Sequence, residues 1–147
     1  MPIKVEISTD ISDVQRLLHI LSYAESTIIP REVRLSVKRM EQFSKKLIRT
    51  GTRTGKHYWG LPKRSSAPGE APKSQTGYLA SSIKSSFNHS RKAGVAQGVV
   101  GASAPHALWL EHGAERKNNT LKPRPFFKPT IEHEIPILIE NIVDALF

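Results

Sequence analysis

The segment QTGYLASSI at residues 75–83 begins the half of the chain that decides the fold, and KPRPFFKP at residues 122–129 closes it. Between them, the residue pattern predicts a short capped helix, two strands and a second short helix. The three prolines of the closing segment each fix a backbone φ angle and remove an N–H donor, which predicts a rigid corner. Aliphatic residues at helical spacing over residues 131–146 then predict a final amphipathic helix, with a kink or break at Pro136.

The first half of the chain adds a predicted strand and two predicted helices. Residues 3–7 alternate apolar and polar side chains, as a half-buried strand does. An aliphatic stripe predicts a helix ending near residue 21, and Pro30 is suited to the first turn of the next helix. Together with an antiparallel hairpin predicted over about residues 83–100, these elements predict a single α+β domain spanning residues 1–147. In it, a small curled antiparallel sheet is packed by two long helices.

The net charge of +9 is concentrated in the middle third of the chain. Residues 31–75 contain 12 basic and 3 acidic residues, a net charge of +9, whereas residues 1–30 have a net charge of −2 and residues 76–147 of +2. Such a basic block indicates a nucleic-acid partner, an acidic protein partner or a solvated face. From residue 131 onward the charged residues are all acidic, namely Glu132, Glu134, Glu140 and Asp144.

Residues 50–75 show no sustained periodicity and predict a long basic loop. We expect this loop to be mobile in the isolated subunit and ordered in an assembly. Tyr58 and Trp59 lie among its basic residues, a mixture typical of proteins that bind single-stranded nucleic acid. The alternative is that the aromatic pair packs against the domain or against a neighbouring subunit. The candidate binding residues of the loop are Arg53, Lys56, Lys63, Arg64 and Lys73.

No residue pattern indicates a catalytic centre, a cofactor site or a metal site, so we expect a protein that is not an enzyme. His106, Glu111 and His112 lack the spacing of a helical zinc site, and the chain has no cysteine. A small nuclease or toxin built on these three residues is the least favoured alternative. No apolar run suits a signal peptide or a membrane span, which predicts synthesis in the cytoplasm and no membrane partner.

An ordered set of short motifs resembles the neck, head–tail connector and tail-completion proteins of tailed bacteriophages, a group that includes minor tail components. The motifs are T-G-x-L-x-x-S-I, V-x-G-(A/S), a short segment with an aromatic residue, an acid and a glycine, and R-P-F-F-x-P. The resemblance implies a structural virion protein that forms a sixfold or twelvefold ring around the DNA channel. The matching positions are Thr76, Gly77, Leu79, Ser82, Ile83, Gly101, Trp109, Glu111, Gly113, Arg124, Pro125, Phe126 and Pro129.

A ring of this kind requires contacts between identical subunits and with neighbouring connector and tail proteins. The basic middle segment and the acidic last helix are suited to opposite sides of such a contact, and non-specific contact with packaged DNA is also expected. For Glu111, a helix cap or an ion pair with Arg116 or Arg124 is the structural alternative. The alternative function for the whole chain is a basic nucleic-acid-binding module. The residues predicted to contact a subunit or partner are Lys38, Lys45, Trp109, Glu111, Arg124, Phe126 and Phe127.

Overall fold

The computed structural model describes residues 11–50 and 53–147 and has an α+β fold, which confirms the predicted class. Its strands form two separate two-stranded antiparallel sheets. The predicted strand at residues 3–7 lies outside the described residues. The elements in chain order are α1 (Ile11–Tyr23), a π turn (Ala24–Ile28), α2 (Ile29–Arg49), α3 (Tyr78–Ser82), β1 (Ile83–Ser90), β2 (Val95–Ala102), α4 (Ala107–His112), β3 (Ala114–Arg116), β4 (Asn119–Leu121) and α5 (Phe127–Leu146).

A continuous helical rod is formed by α1, the π turn and α2. Within it the Ile29 N–H donates to the carbonyl of Ala24, five residues back, which is the hydrogen bond of a π turn. Pro30 follows directly and has no N–H, so it would break the ladder of an uninterrupted α-helix. The wider π turn accommodates that missing donor. The boundary predicted at Pro30 is therefore a π turn within one rod.

The hairpin of β1 and β2 lies along α2, and its eight residue pairs are in continuous register. Near its open end, the Ser85 N–H and hydroxyl donate to the Glu41 carboxylate at 2.9 and 2.5 Å. Further along, Gly98 lies so close to α2 that an added Cβ would overlap Val37 Cγ1. The residues of β2 that face α2 are small, and this allows the close approach.

Antiparallel packing of α5 on α2 completes the main body. The hydroxyls of Ser44 and Thr130 lie 2.9 Å apart in the buried contact, and Arg39 Nε donates to a Glu134 carboxylate oxygen at 2.7 Å. The end of α5 lies beside the π turn. The hydrophobic core of the domain is formed mainly by residues of the second half of the chain. Its buried members are Ile48, Leu79, Ala80, Ile83, Ala104, Ala107 and Phe126.

Two local features of the second half differ from the sequence predictions. First, α5 continues through Pro136, so the break that was one alternative does not occur, and the kink stays a prediction. The carbonyl of Glu132 that loses its N–H partner belongs to an exposed residue, so water can satisfy it. Second, residues 114–122, where the sequence pattern predicts no strand, contain the short hairpin of β3 and β4. Its strands have three residues each, too few for an alternating pattern to be recognised.

The helix α1 projects beyond the other elements of the described residues. None of its residues is buried. The hairpin turn reaches only as far as the π turn, because Gly94 lies against the Glu25 side chain there. Since α5 also ends beside the π turn, α1 extends past both of the elements that cover α2.

Candidate assembly interface

The proline-rich corner is closed by Glu111 at the end of α4. Its carboxylate accepts the N–H groups of Phe126, Phe127 and Lys128 at 2.8, 3.0 and 2.8 Å. These N–H groups stand at the start of α5, where a helix offers them no internal partner and where negative charge is favoured. Glu111 is therefore a cap, but for α5 and not for its own helix.

The two arginines near Glu111 contact other groups. Arg124 Nε donates to the Ser66 carbonyl at 3.1 Å, and the Arg124 N–H donates to the Leu110 carbonyl at 2.6 Å. These bonds fix the long loop and α4 to the corner. The Arg116 guanidinium lies 5.3 Å from the centre of the Trp109 ring. Trp109 is 44% exposed and leaves an aromatic surface open to solvent, whereas Arg124 is engaged within the chain.

The two phenylalanines of the corner have different environments. Phe126 is fully buried in the core, and its ring centre lies 4.4 Å from that of Phe127. Phe127 is half-buried and lines a groove between α2, β2 and α5. In this fold, Phe126 has no surface to offer a partner, and only Phe127 reaches the exterior.

The two lysines predicted on α2 also differ. Lys38 is exposed. Lys45 Nζ lies 2.5 Å from a carboxylate oxygen of Glu41, one turn earlier in the helix. Hydrogen bonds from Lys45 and then from Ser85 lower the pKa of Glu41 to about 2. Lys45 therefore supports the contact between α2 and the hairpin, and Lys38 is the one available to a partner.

A finger at residues 55–65 projects from the long basic loop. At its base, the Gly55 N–H donates to the Ser65 carbonyl at 2.9 Å and the Ser65 N–H donates to the Lys56 carbonyl at 3.0 Å. Its tip carries Trp59, whose side chain is 101% exposed. A fully solvated tryptophan is unusual in a folded protein, since this side chain has the largest apolar surface to bury.

The basic residues of the loop fall into two groups. Lys56, Lys63 and Arg64 are on the finger and are exposed, and Arg64 Nη1 donates to the Gly55 carbonyl at 3.1 Å. Arg53 Nη2 donates to the Leu47 carbonyl at 2.6 Å, and Lys73 Nζ donates to the Arg49 carbonyl at 3.5 Å. Both acceptors belong to the end of α2, where carbonyls lack helical partners and cations are favoured. The exposed positive charge of the loop is therefore concentrated on the finger, and a role in binding and the mobility of residues 50–75 stay predictions.

A single carboxylate holds the loop beneath the finger. Glu70 accepts the Thr54 hydroxyl at 2.5 Å, the Thr54 N–H at 3.1 Å and the Ala67 N–H at 2.8 Å. These bonds, with that of the Thr54 hydroxyl first, lower the pKa of Glu70 to about 2. The stabilisation that ionised Glu70 gives the loop is thus fully present above the ordinary pKa of about 4.5. It is lost as the pH falls through about 2.

We expect the Glu70→Gln substitution to increase the rate of tryptic cleavage within the finger about fivefold to tenfold. The amide keeps one acceptor oxygen but loses the charge that strengthens these hydrogen bonds, so the loop opens more often. Cleavage after Lys56, Lys63 or Arg64 is followed by mass spectrometry at neutral pH. Glu115→Gln, which removes an exposed carboxylate elsewhere, should leave the rate unchanged. First cleavage in α2, or equal rates in both variants, would contradict the expectation.

The acidic face of α5 is partly used within the chain. Arg39 of the basic segment pairs with Glu134, so one contact between basic and acidic segments is intramolecular. Glu132, Glu140 and Asp144 are exposed, and none of them has an ion pair in the described part of the chain. These three carboxylates remain for an external cation.

Neither histidine candidate is part of a metal cluster. His106 lies near Tyr78, with ring centres 6.1 Å apart, and His112 is exposed. Across residues 11–50 and 53–147, no group of three or more potential metal ligands occurs.

No helix in the same ranges is long and apolar enough to cross a membrane. Comparison with known proteins finds no family model, no curated protein and no solved structure that matches this chain.

Proposed function

We propose that this chain is a structural virion protein of a tailed phage or prophage, forming a ring in the neck or completing the tail end. The motifs that resemble this class carry structural roles here. Glu111 caps α5, Phe126 fills the core, and Arg124 ties the loop to the corner. Such a fixed scaffold with large uncovered surfaces supports a role in assembly.

The observation that carries the proposal is the uncovered apolar stripe of α1. Five large aliphatic side chains of this helix are each more than half exposed. A monomer seldom exposes a continuous apolar patch above about 300–600 Å², and patches of that size mark interaction sites. We therefore expect α1 to be covered by a protein partner when the chain functions. The five residues are Ile11, Val14, Leu17, Leu18 and Leu21.

Surface charge supports an assembly with a defined orientation. Exposed cations lie on α2 and on the finger, and exposed carboxylates lie on α5. A contact between these two surfaces on different copies is heterologous, and such contacts form a ring when the rotation between successive copies closes. Each exposed ion pair contributes roughly 0–1 kcal/mol, but the pairs repeat at every subunit contact.

A four-residue substitution tests this role in the particle. Lys38, Lys46, Lys56 and Lys63, all exposed on α2 or the finger, are changed together to serine. At roughly 0.5 kcal/mol for each of at most three lost pairs, every subunit contact weakens about tenfold, so infectious particles should fall steeply while the chain stays folded. Complementation of a phage lacking this chain measures the titre, and electron microscopy shows whether heads and tails remain unjoined.

The control removes the same charge elsewhere. Lys84, Lys92, Lys117 and Lys122 are also exposed, and their joint change to serine should leave the titre within about threefold. Equal losses from both sets would show that only net charge matters. The proposal is overturned if mass spectrometry does not detect the chain in purified virions and its deletion leaves the titre unchanged.

One observation favours a second candidate function, a nucleic-acid-binding module. The exposed Trp59 stands among Lys56, Lys63 and Arg64, and this arrangement can stack on a base beside its phosphates. A salt titration with single-stranded and duplex DNA separates the two functions. A structural subunit should bind both weakly at physiological salt, whereas a binding module should retain high affinity and lose it in Trp59→Ala.

A further inference from the structure

An apolar trench of about 450 Å³ runs between α2, β2 and α5. Val33, Val37 and Met40 of α2 form its floor, and Val100 of β2 forms one wall. The opposite wall is the exposed aliphatic edge of α5, which includes Ile131 and Ile135. The trench is partly open to solvent, and these six residues give it no charged group.

The stripe of α1 is the counterpart of this trench in shape and chemistry. Its aliphatic residues recur at a spacing of three and four, the pattern of a helix that docks into an apolar groove. The two charged residues of the helix, Asp13 and Arg16, cancel in net charge and lie off the stripe. No charge would therefore be buried when the stripe enters an apolar site.

The trench and the stripe of one copy cannot meet. They lie on a single rod, because α1 continues through the π turn into α2, whose residues form the trench floor. The stripe of about 15 Å matches the length of the α5 edge, roughly 18 Å from Ile131 to Val143. Covering both surfaces therefore requires another molecule.

We propose that α1 of one copy lies in the trench of a second copy, with Leu18 and Leu21 against Ile131 and Ile135. The choice of a second copy as the partner rests on the proposed function. It also follows from the presence of both matched surfaces on every chain. A specific interface should bury more than roughly 1,000 Å² in total, so this contact must cover the stripe and the trench along their full length. Because each copy contributes one stripe and one trench, the contact is heterologous and can close into a ring.

Cross-linking between single-cysteine variants tests this contact, since the native chain has no cysteine. Leu18→Cys and Ile135→Cys proteins are mixed and treated with a short bis-maleimide, both in solution and in assembled particles. We expect a mixed dimer at a yield more than tenfold above that of Leu18→Cys with Val99→Cys. Val99 is the matched control, because it neighbours Val100 on β2 but points to the opposite face of the hairpin.

A charge variant gives an independent readout. Leu17→Asp/Leu21→Asp should shift the mass measured by light scattering to that of the monomer and leave the melting temperature nearly unchanged, because α1 has no buried residue. Gln15→Asp/His19→Asp adds the same two charges to the polar face of α1 and should keep the oligomer. Equal masses for the two variants would contradict the proposal.

The outcomes distinguish the contact from the proposed function. Cross-linked dimers in the Leu18→Cys protein alone, or in the Ile135→Cys protein alone, would show self-pairing of α1 or of α5 and overturn the proposal. Absence of the mixed dimer from both solution and particles would also overturn it, while leaving a virion role intact. A mixed dimer from a chain that is not found in virions would instead support the contact and refute the virion role.

Discussion

Replacing Phe126 with alanine is expected to lower the free energy of unfolding by about 3–5 kcal/mol, the usual cost of removing a buried phenylalanine ring. Phe126 is fully buried among Ile48, Leu79 and Ile83 at the point where α5 leaves the corner. The rigid proline-rich backbone prevents the site from collapsing around the cavity, so we expect the upper part of this range. Urea denaturation monitored by circular dichroism measures the change.

Phe127, the neighbour of Phe126 in the sequence, provides the control. Phe127 is only half-buried and lines the open trench, so Phe127→Ala should cost less than half as much. A loss below about 1 kcal/mol for Phe126→Ala, or equal losses for the two variants, would show that the corner does not anchor α5 as described.

The second large effect is expected for Arg39→Ala. Both Arg39 Nε and Nη2 lie 2.7 Å from one oxygen of Glu134, whose side chain is only 3% exposed. Removing the guanidinium leaves a buried carboxylate without its cation, which typically costs about 3–5 kcal/mol. The same denaturation measurement applies, and the loss should appear as a lower midpoint with an unchanged slope.

A double variant separates the pair from the packing of its side chains. Arg39→Leu/Glu134→Leu replaces both partners with aliphatic groups, and it should recover most of the stability lost in Arg39→Ala. If the double variant is as unstable as the single one, the loss comes from packing of the arginine stem, and the ion pair is not its cause.

The sequence predicts elements that depend on local periodicity. Apolar residues at helical spacing identify α2 and α5, and strand-like segments on either side of a basic turn identify the β1–β2 hairpin. The α+β class follows from these elements. The π turn was missed because Pro30 also fits the start of a separate helix, and the two arrangements have the same local signal.

Contacts between distant residues are the part that local patterns could not predict. Glu111 reaches the start of α5, and Arg39 pairs with Glu134 across 95 residues. Nothing in either neighbourhood specifies the partner, since the match depends on how the helices are placed in space. Local patterns also could not predict the acceptor role of Glu70, because this residue lies in a loop with no periodicity. Which of the motif residues face outward is likewise set by the tertiary fold.

The π turn at residues 24–28 has a geometric consequence for any assembly built through α1. An α-helix advances about 100° per residue, so the additional residue of a π turn changes the angular phase of α1 relative to α2 by about that amount. With this change, Val14 and Leu21 come into line with Val33, on the side of the rod where the hairpin and α5 pack. If copies assemble through α1 as proposed, the direction of α1 sets the rotation between successive copies in the ring. Copy number then depends on the hydrogen-bond pattern of five residues as well as on the contact surface.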